Sequence, residues 1–286
     1  IATAEAVTVV GADVDFIDIE PDYYTMDPAR VEEYLKSAKG ENVKAIIPVH
    51  LYGQMANMPI LRDIADKYGI KVIEDSAQAH GSKLFGNQPG YWCDIATYSF
   101  YPGKNLGAFG DAGAIATNNF DLYKKCKMLV NHGRWNEKYT HEIEGYNMRL
   151  DTVQAAILRI KLRHIDDWTR KRKEKVAKYL QLLADKQSVI SPKIRKGAEP
   201  VWHIFPILCE DRDAVIEKFK KAGISYGIHY PVPLHLQPAY RYKGYKQDDY
   251  PVTERVANSE LSLPLWPEIS EESIEYVNKI LKITEN

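Results

Sequence analysis

Apolar residues recur along the first half of the chain in two alternating rhythms. Short apolar or alternating runs at ADVDFIDIE (12–20), VKAIIPVHLYG (43–53), KVIEDSA (71–77) and DIATYSF (94–100) predict strands. Between them, DPARVEEYLKSA (27–38) places apolar residues at helical spacing behind a capping Asp27, and MPILRDIADKYG (58–69) does the same up to Gly69. This alternation predicts a βαβαβ order and with it a mostly parallel sheet covered on both faces.

The rhythm changes after Phe100. GAIATNN (113–119) closes a further strand and FDLYKKCKMLVNHG (120–133) a helix, whereas residues 131–150 are polar, aromatic and without period. They predict a long loop, of the kind that in compact domains usually serves function. From Asp151 a helical pattern runs for about 35 residues, longer than an average globular helix, so a break or an interdomain bridge is expected. Beyond Ser188 come a strand at VWHIFPILC (201–209), a helix at DRDAVIEKFKKAG (211–223), an extended stretch at GISYGIHYPVPLHL (223–236) whose prolines exclude a central strand, and a terminal helix at SEESIEYVNKILKIT (270–284). The expected division is a large α/β domain over residues 1–187, including the long helix, and a smaller α+β domain over 188–286.

Composition narrows the classes. With 286 residues, 45% of them apolar, the chain can bury a sizeable core. Its 38 basic and 39 acidic residues leave no basic stripe for nucleic acid, and RKRKEK (170–175) has the spacing of a solvated helix face. Cys93, Cys126 and Cys209 form neither a disulfide framework nor a CxxC metal site, which favours a cytoplasmic location and no bound metal. No apolar run approaches the roughly 18 residues of a membrane span, and no signal peptide opens the sequence.

Candidate chemistry sits at two predicted strand ends. KVIEDSA finishes in the carboxylates Glu74 and Asp75, and DIATYSF delivers Lys104 into the glycine-rich stretch YPGKNLGAFGDAG. In an open α/β sheet, ligands bind beyond the carboxyl ends of the strands, so an acid and a lysine on two such ends can face one ligand. An amine that condenses with a carbonyl must first lose its proton, and a carboxylate opposite can keep a ring nitrogen protonated. That pair describes a pyridoxal phosphate site, although by spacing alone a lysine among glycines is more often a solvated loop residue. Gly103, Gly107, Gly110 and Gly113 let the backbone bend around the lysine; they form no GxGxxG fingerprint, and GKN lacks the Ser or Thr of a P-loop.

EDSAQAHGS (74–82), SFYPGKNLGAFGDAGAI (99–115), GYNMRLDTVQAAIL (145–158) and HYPVPLHLQPAY (229–240), in this order, resemble the DegT/DnrJ/EryC1/StrS family of nucleotide-sugar aminotransferases over nearly the whole chain. The resemblance implies a fold-type I pyridoxal 5′-phosphate enzyme that moves an amino group from L-glutamate to a keto sugar carried on a nucleoside diphosphate. Position by position, it implies that Lys104 is the Schiff-base lysine and carries the proton, that Asp75 pairs with the pyridinium nitrogen, and that Gln78 lies near the phenolic oxygen. Ser99 would bind the cofactor phosphate, as would Asn147 from the neighbouring subunit, which makes a homodimer with shared sites the expected assembly. His229 and Tyr230 match a segment near the sugar, against the alternative of a proline-rich connector whose aromatics simply pack, and Tyr101 reaches toward the sugar or the cofactor. Arg134 is either a diphosphate ligand or a solvent-exposed arginine, His50 either a site residue or a packed one, and His235 has no assigned role.

Family members carry a further N-terminal segment with a phosphate-binding turn and an aromatic ring over the cofactor. IATAEAVTVV opens in what reads as mid-helix, so the expectation is that this segment lies outside the present numbering. Relatives that dehydrate sugars have histidine where this chain keeps Lys104, and a cofactor-binding regulator without turnover would not need the intact lysine, acid and asparagine. A dehydrogenase-type nucleotide-binding protein would need the missing glycine fingerprint. The combined motifs look most like members acting on 3-keto sugars linked to dTDP or UDP.

Overall fold

The computed structural model describes residues 1–186 and 188–282. The chain enters through helix α1 (Ala2–Thr8) and continues as irregular chain to α2 (Pro28–Lys36), whose Asp27 cap accepts the Ala29 N–H. A two-residue β1 (Ala45–Ile46) leads to α3 (Met58–Tyr68), which stops at Gly69 in the left-handed conformation, as the sequence predicts. Then follow β2 (Lys71–Asp75), β3 (Lys83–Leu84), β4 (Ile95–Ser99) and β5 (Gly113–Ala116). One sheet takes the order β1-β2-β4-β5, with β1, β2 and β4 parallel and β5 antiparallel at the edge. Val31, Leu35, Leu61 and Ile64 of α2 and α3 bury against Ile46 and Val72 of the sheet.

ADVDFIDIE is not a strand. Among the described residues its pairing is a single bridge from Ile19 to Met26, because its polar groups are engaged elsewhere. Asp18 accepts the backbone N–H groups of Val252 and Thr253, and the Phe16 carbonyl accepts the Tyr250 hydroxyl. These contacts tie the segment to a helix more than 230 positions away.

After β5 come α4 (Phe120–Leu129), the irregular stretch 131–150, and then α5 (Thr152–Lys161) and α6 (Ile165–Leu183). The predicted long helix therefore breaks, at a 3-10 turn over Leu162–His164. Next are β6 (Val189–Ile190), β7 (Ala198–Glu199), β8 (Phe205–Cys209), α7 (Arg212–Ala222), α8 (Pro251–Ser259), β9 (Glu260–Leu263) and α9 (Glu271–Lys282). β6, β8 and β9 form an antiparallel sheet, and β3 pairs with β7. α6 buries Val176, Tyr179 and Leu183 in the same cluster as Phe205, Phe219 and Ile274, so its second half packs with the C-terminal elements. The expected boundary at residue 187 and the end of the terminal helix through Thr284 fall outside the described residues. Among the described residues, no helix is long and apolar enough to cross a membrane.

Candidate active site

β2 and β4 are parallel neighbours, so their carboxyl ends open at one edge of the sheet. Asp75 ends β2 opposite Thr97, and Ser99 ends β4 opposite Gly113. Beyond Ser99 the chain folds into a tight loop in which Lys104 N–H donates to the Tyr101 carbonyl (2.9 Å) and Ala108 N–H to the Phe100 carbonyl (2.7 Å). A Cβ at Gly107 would lie 2.3 Å from the Pro102 oxygen, so this close approach requires glycine. A Cβ at Gly103 would meet only the Tyr101 ring at 3.8 Å, so that glycine is not needed for the bend.

The loop presents Lys104, half-buried, to the end of β2. Burial lowers its pKa, and the charge of Asp75 opposes that shift. Asp75 is held from three directions: Oδ2 accepts the Thr3 hydroxyl (2.6 Å), Oδ1 accepts Ala77 N–H (3.0 Å), and its carbonyl accepts His50 N–H (3.0 Å). Three imidazoles feel the Lys104 charge. Burial drives His80 down to about 4, with the Ser99 backbone opposing outside hydrogen-bond geometry and Lys104 adding to the shift. Burial takes His203 to about 3, and also lowers His229. Burial thus favours the uncharged form of all three imidazoles near the lysine, and Asp75 supplies the carboxylate that faces it.

Gln78 joins this group. Its Oε1 accepts Tyr52 N–H (2.6 Å), and its side chain pulls down the Tyr230 phenol, which burial and the charge of Asp75 hold above its ordinary value. The His229 carbonyl accepts the Tyr52 hydroxyl (2.5 Å). Lys104, Asp75, Gln78, His229 and Tyr230 are therefore neighbours. Ser99 lies at the rim, where its oxygen accepts Tyr101 N–H (3.2 Å) and where, among the described residues, its hydroxyl proton has no acceptor. Tyr101 itself is 59% exposed.

Asn147 is not brought to Lys104 within this chain; it is exposed and bridges to Asn131. Arg134 is half-buried and spent within its own loop, donating to Asn131 Oδ1 (2.7 Å) and the Lys138 carbonyl (3.1 Å). His50 is packed: its Nδ1 accepts Ala56 N–H (3.2 Å) and its Nε2 lies 3.6 Å from Glu74 Oε2. His235 is buried against Glu254 at 2.9 Å. Among the described residues, no group of His, Cys, Asp and Glu has a metal-holding arrangement.

Sequence reasoning passed over Thr3, His80 and His203. His80 sits inside the motif that contains Asp75 and was there to be read; Thr3 and His203 carry no local signal, because only the fold brings α1 and the approach to β8 to this edge. An amine with a depressed pKa, a carboxylate facing it and a hydroxyl free to donate to an anion form the donor set that pyridoxal phosphate needs, and the residues present fit that group.

A sequence profile of the DegT/DnrJ/EryC1/StrS aminotransferase family matches residues 1–282. Among curated relatives, the chain is 45% identical to a "pleiotropic regulatory protein" of Geobacillus stearothermophilus, over 96% of this chain and 73% of that one. It is 41% identical to the dTDP-3-amino-3,4,6-trideoxy-alpha-D-glucose transaminase of Streptomyces venezuelae, over 94% and 70%. Among solved structures, DesV of S. venezuelae in complex with a ketimine intermediate superposes with a TM-score of 0.94 at 39% identity, over 100% of this chain and 76% of that one. A parallel sheet whose strand ends carry the lysine and the acid, together with these matches, places the chain in the DegT/DnrJ/EryC1/StrS family, as an aminotransferase of fold type I that depends on pyridoxal phosphate.

Proposed function

We propose that this chain transfers an amino group from L-glutamate to the C3 keto group of a dTDP- or UDP-linked keto-deoxysugar, giving an amino sugar nucleotide for a surface glycan or a secondary metabolite. The observation that carries the reading is Lys104: half-buried, with a lowered pKa, facing Asp75 at the shared edge of β2 and β4. The transaminase relative's dTDP-3-amino sugar supports the choice of nucleotide-linked sugar and of carbon.

Bound pyridoxal phosphate supplies an electron sink that lets the hydrogen on an amino-acid α-carbon leave as a proton. In this reading Lys104 Nζ would take that proton from the α-carbon and, in the second half of the reaction, deliver one to the keto carbon of the sugar; a lowered pKa favours the uncharged amine that can accept it. Asp75 keeps a negative charge against the ring nitrogen. Gln78, its amide orientation fixed by Tyr52 N–H, lies beside the phenolic oxygen. Ser99 donates its free hydroxyl proton to the phosphate. His229, Tyr230 and the exposed Tyr101 face the sugar. Asn147 serves the partner subunit's phosphate in a homodimer, a role supported by the apolar side chains left exposed around it, Tyr146, Met148, Leu150 and Val153.

The test is a visible absorption band on purified protein, bleached by glutamate and restored by one member of a panel of dTDP- and UDP-linked keto sugars. A band unchanged by every amino donor would favour the second reading, a cofactor-binding regulator, which the name of the Geobacillus relative suggests.

A further inference from the structure

His229 is built into a chain of side chains that the reaction outlined above does not use. The backbone N–H of His229 donates to Glu260 Oε2 (2.6 Å), and its ring Nδ1 lies 2.8 Å from Ser262 Oγ. The Ser262 hydroxyl donates to the other Glu260 oxygen, Oε1. Glu260 is fully buried and Ser262 nearly so, both on β9, whose Ser262 exchanges backbone hydrogen bonds with Gly227 (2.9 and 3.2 Å). Gly227 makes room for the ring, since a Cβ there would lie 2.5 Å from its Cε1.

Donor counting fixes the imidazole. A carboxylate only accepts, so the single Ser262 proton goes to Glu260, and Ser262 Oγ must receive a proton from His229 Nδ1. Burial raises the Glu260 pKa, yet the Ser262 hydroxyl, the His229 N–H and the charge of Arg212 each favour its ionised form. With Nδ1 protonated and the ring uncharged, Nε2 carries only a lone pair. Among the described residues nothing hydrogen-bonds to it.

We propose that Ser262 and Glu260 are positioning residues that hold His229 in the Nδ1–H form, so that Nε2 accepts a hydrogen bond from a sugar hydroxyl flanking the reacting carbon and selects sugars that bear one there. This rests on the reading of the substrate as a nucleotide-linked sugar. The imidazole in this state cannot donate to a keto oxygen or a phosphate, so its selectivity is for a donor. Ser262 and Glu260 touch no substrate; they act through His229.

The first arm of the test needs neither cofactor nor sugar: 15N spectra of histidine-labelled protein, with His229 assigned by a His229→Gln variant. The expected spectrum has a protonated-type Nδ1 and a lone-pair-type Nε2, lost or averaged in Ser262→Ala and restored in Ser262→Thr, which keeps the hydroxyl. A protonated Nε2 in the parent, or the same tautomer in Ser262→Ala, would overturn the proposal. The second arm measures binding of dTDP-glucose and of its 2-deoxy and 4-deoxy analogues to the cofactor-loaded protein. Loss of one hydrogen bond predicts about tenfold weaker binding of one analogue by the parent, and no such difference in Ser262→Ala. Equal binding of all three sugars by the parent, or a difference that survives in Ser262→Ala, would overturn the sugar role. If the tautomer is as expected but neither dTDP-glucose nor UDP-glucose binds the parent, the failure belongs to the nucleotide-sugar reading of function and removes the basis for this proposal's substrate.

Discussion

Glu74 and Asp75 are consecutive carboxylates at the end of one strand, and the two faces of the sheet put them to different uses. Strand geometry sends them to opposite sides. On one side Glu74 is 0% exposed, accepts Gly90 N–H (2.5 Å) and lies 3.6 Å from the equally buried His50. Burial, reinforced by the charge of Glu74, pushes the Cys93 thiol and the Tyr98 phenol up to about 12 each, so these neighbours stay uncharged. On the other side Asp75 meets the half-buried Lys104 and is steadied by the Thr3 hydroxyl. The same functional group is packed among buried side chains on one face and faces an amine that can titrate on the other.

The comparison breaks most simply at Lys104. Under the proposed mechanism Lys104→Ala removes the group that moves the proton, and transamination should then fall by at least about a thousandfold. Borohydride reduction of the cofactor-loaded parent followed by peptide mapping should label Lys104; a label on another lysine would end the assignment.

Paired substitutions on the two carboxylates come next. Asp75→Asn keeps the shape and removes the charge, so turnover should drop on the order of a hundred- to a thousandfold while the denaturant midpoint stays near that of the parent. Glu74→Gln should do the reverse. An amide at that buried position leaves a donor without a partner, at a cost of about 1–3 kcal/mol in stability, while the folded fraction keeps its activity. If Glu74→Gln lost turnover at full stability, the division between the two faces would be wrong.

A third experiment asks whether the site is complete in one chain. Asn147 is far from both carboxylates in its contacts, so a catalytic role for it requires a second copy. Lys104→Ala and Asn147→Ala chains, each impaired alone, form hybrids on subunit exchange in which one site carries both lesions and the other neither. Random pairing makes about half the dimers hybrid, so activity should recover toward roughly a quarter of the parent level. Hybrids shown to form without recovery would place Asn147 within its own chain's site or outside any site.

What the sequence made legible were features written within a few residues of each other. The Asp27 cap and the stop at Gly69 bound their helices where the pattern predicts, and the helix expected over 211–223 runs between an Asp211 cap and Gly223. Lys104, Asp75 and Gln78 stand in two short motifs, and the fold brings them together. ADVDFIDIE fails as a strand because Asp18 serves the start of α8, a tertiary contact that overrides alternation. β9 was missed although its four residues are all buried, since it is short and runs straight on from α8. Thr3, His203 and Ser262 reach the site from distant elements, and no spacing rule connects them to Lys104.

The smallest expected effect is the titration of Lys104, and it sharpens the comparison because the two carboxylates must act differently on it. Burial moves the lysine below the usual value of about 10.4, and Asp75 is the charge that resists the move. Removing that charge in Asp75→Asn should therefore lower the pKa further and raise the uncharged fraction at a given pH. Glu74→Gln, on the far face, should leave the pKa where it is. The readout is the pH dependence of Lys104 modification by an amine-reactive anhydride on cofactor-free protein, quantified by mass spectrometry of the lysine peptide. The sign carries over to stability. Between the folded and the unfolded pKa the unfolded chain binds more protons, so this group makes the folded state gain stability as pH rises through that window, and the gain should be larger in Asp75→Asn. A midpoint that rises in Asp75→Asn would mean that the carboxylate does not act on the amine as a facing negative charge, and the acid–amine pairing at the sheet edge would fall with it.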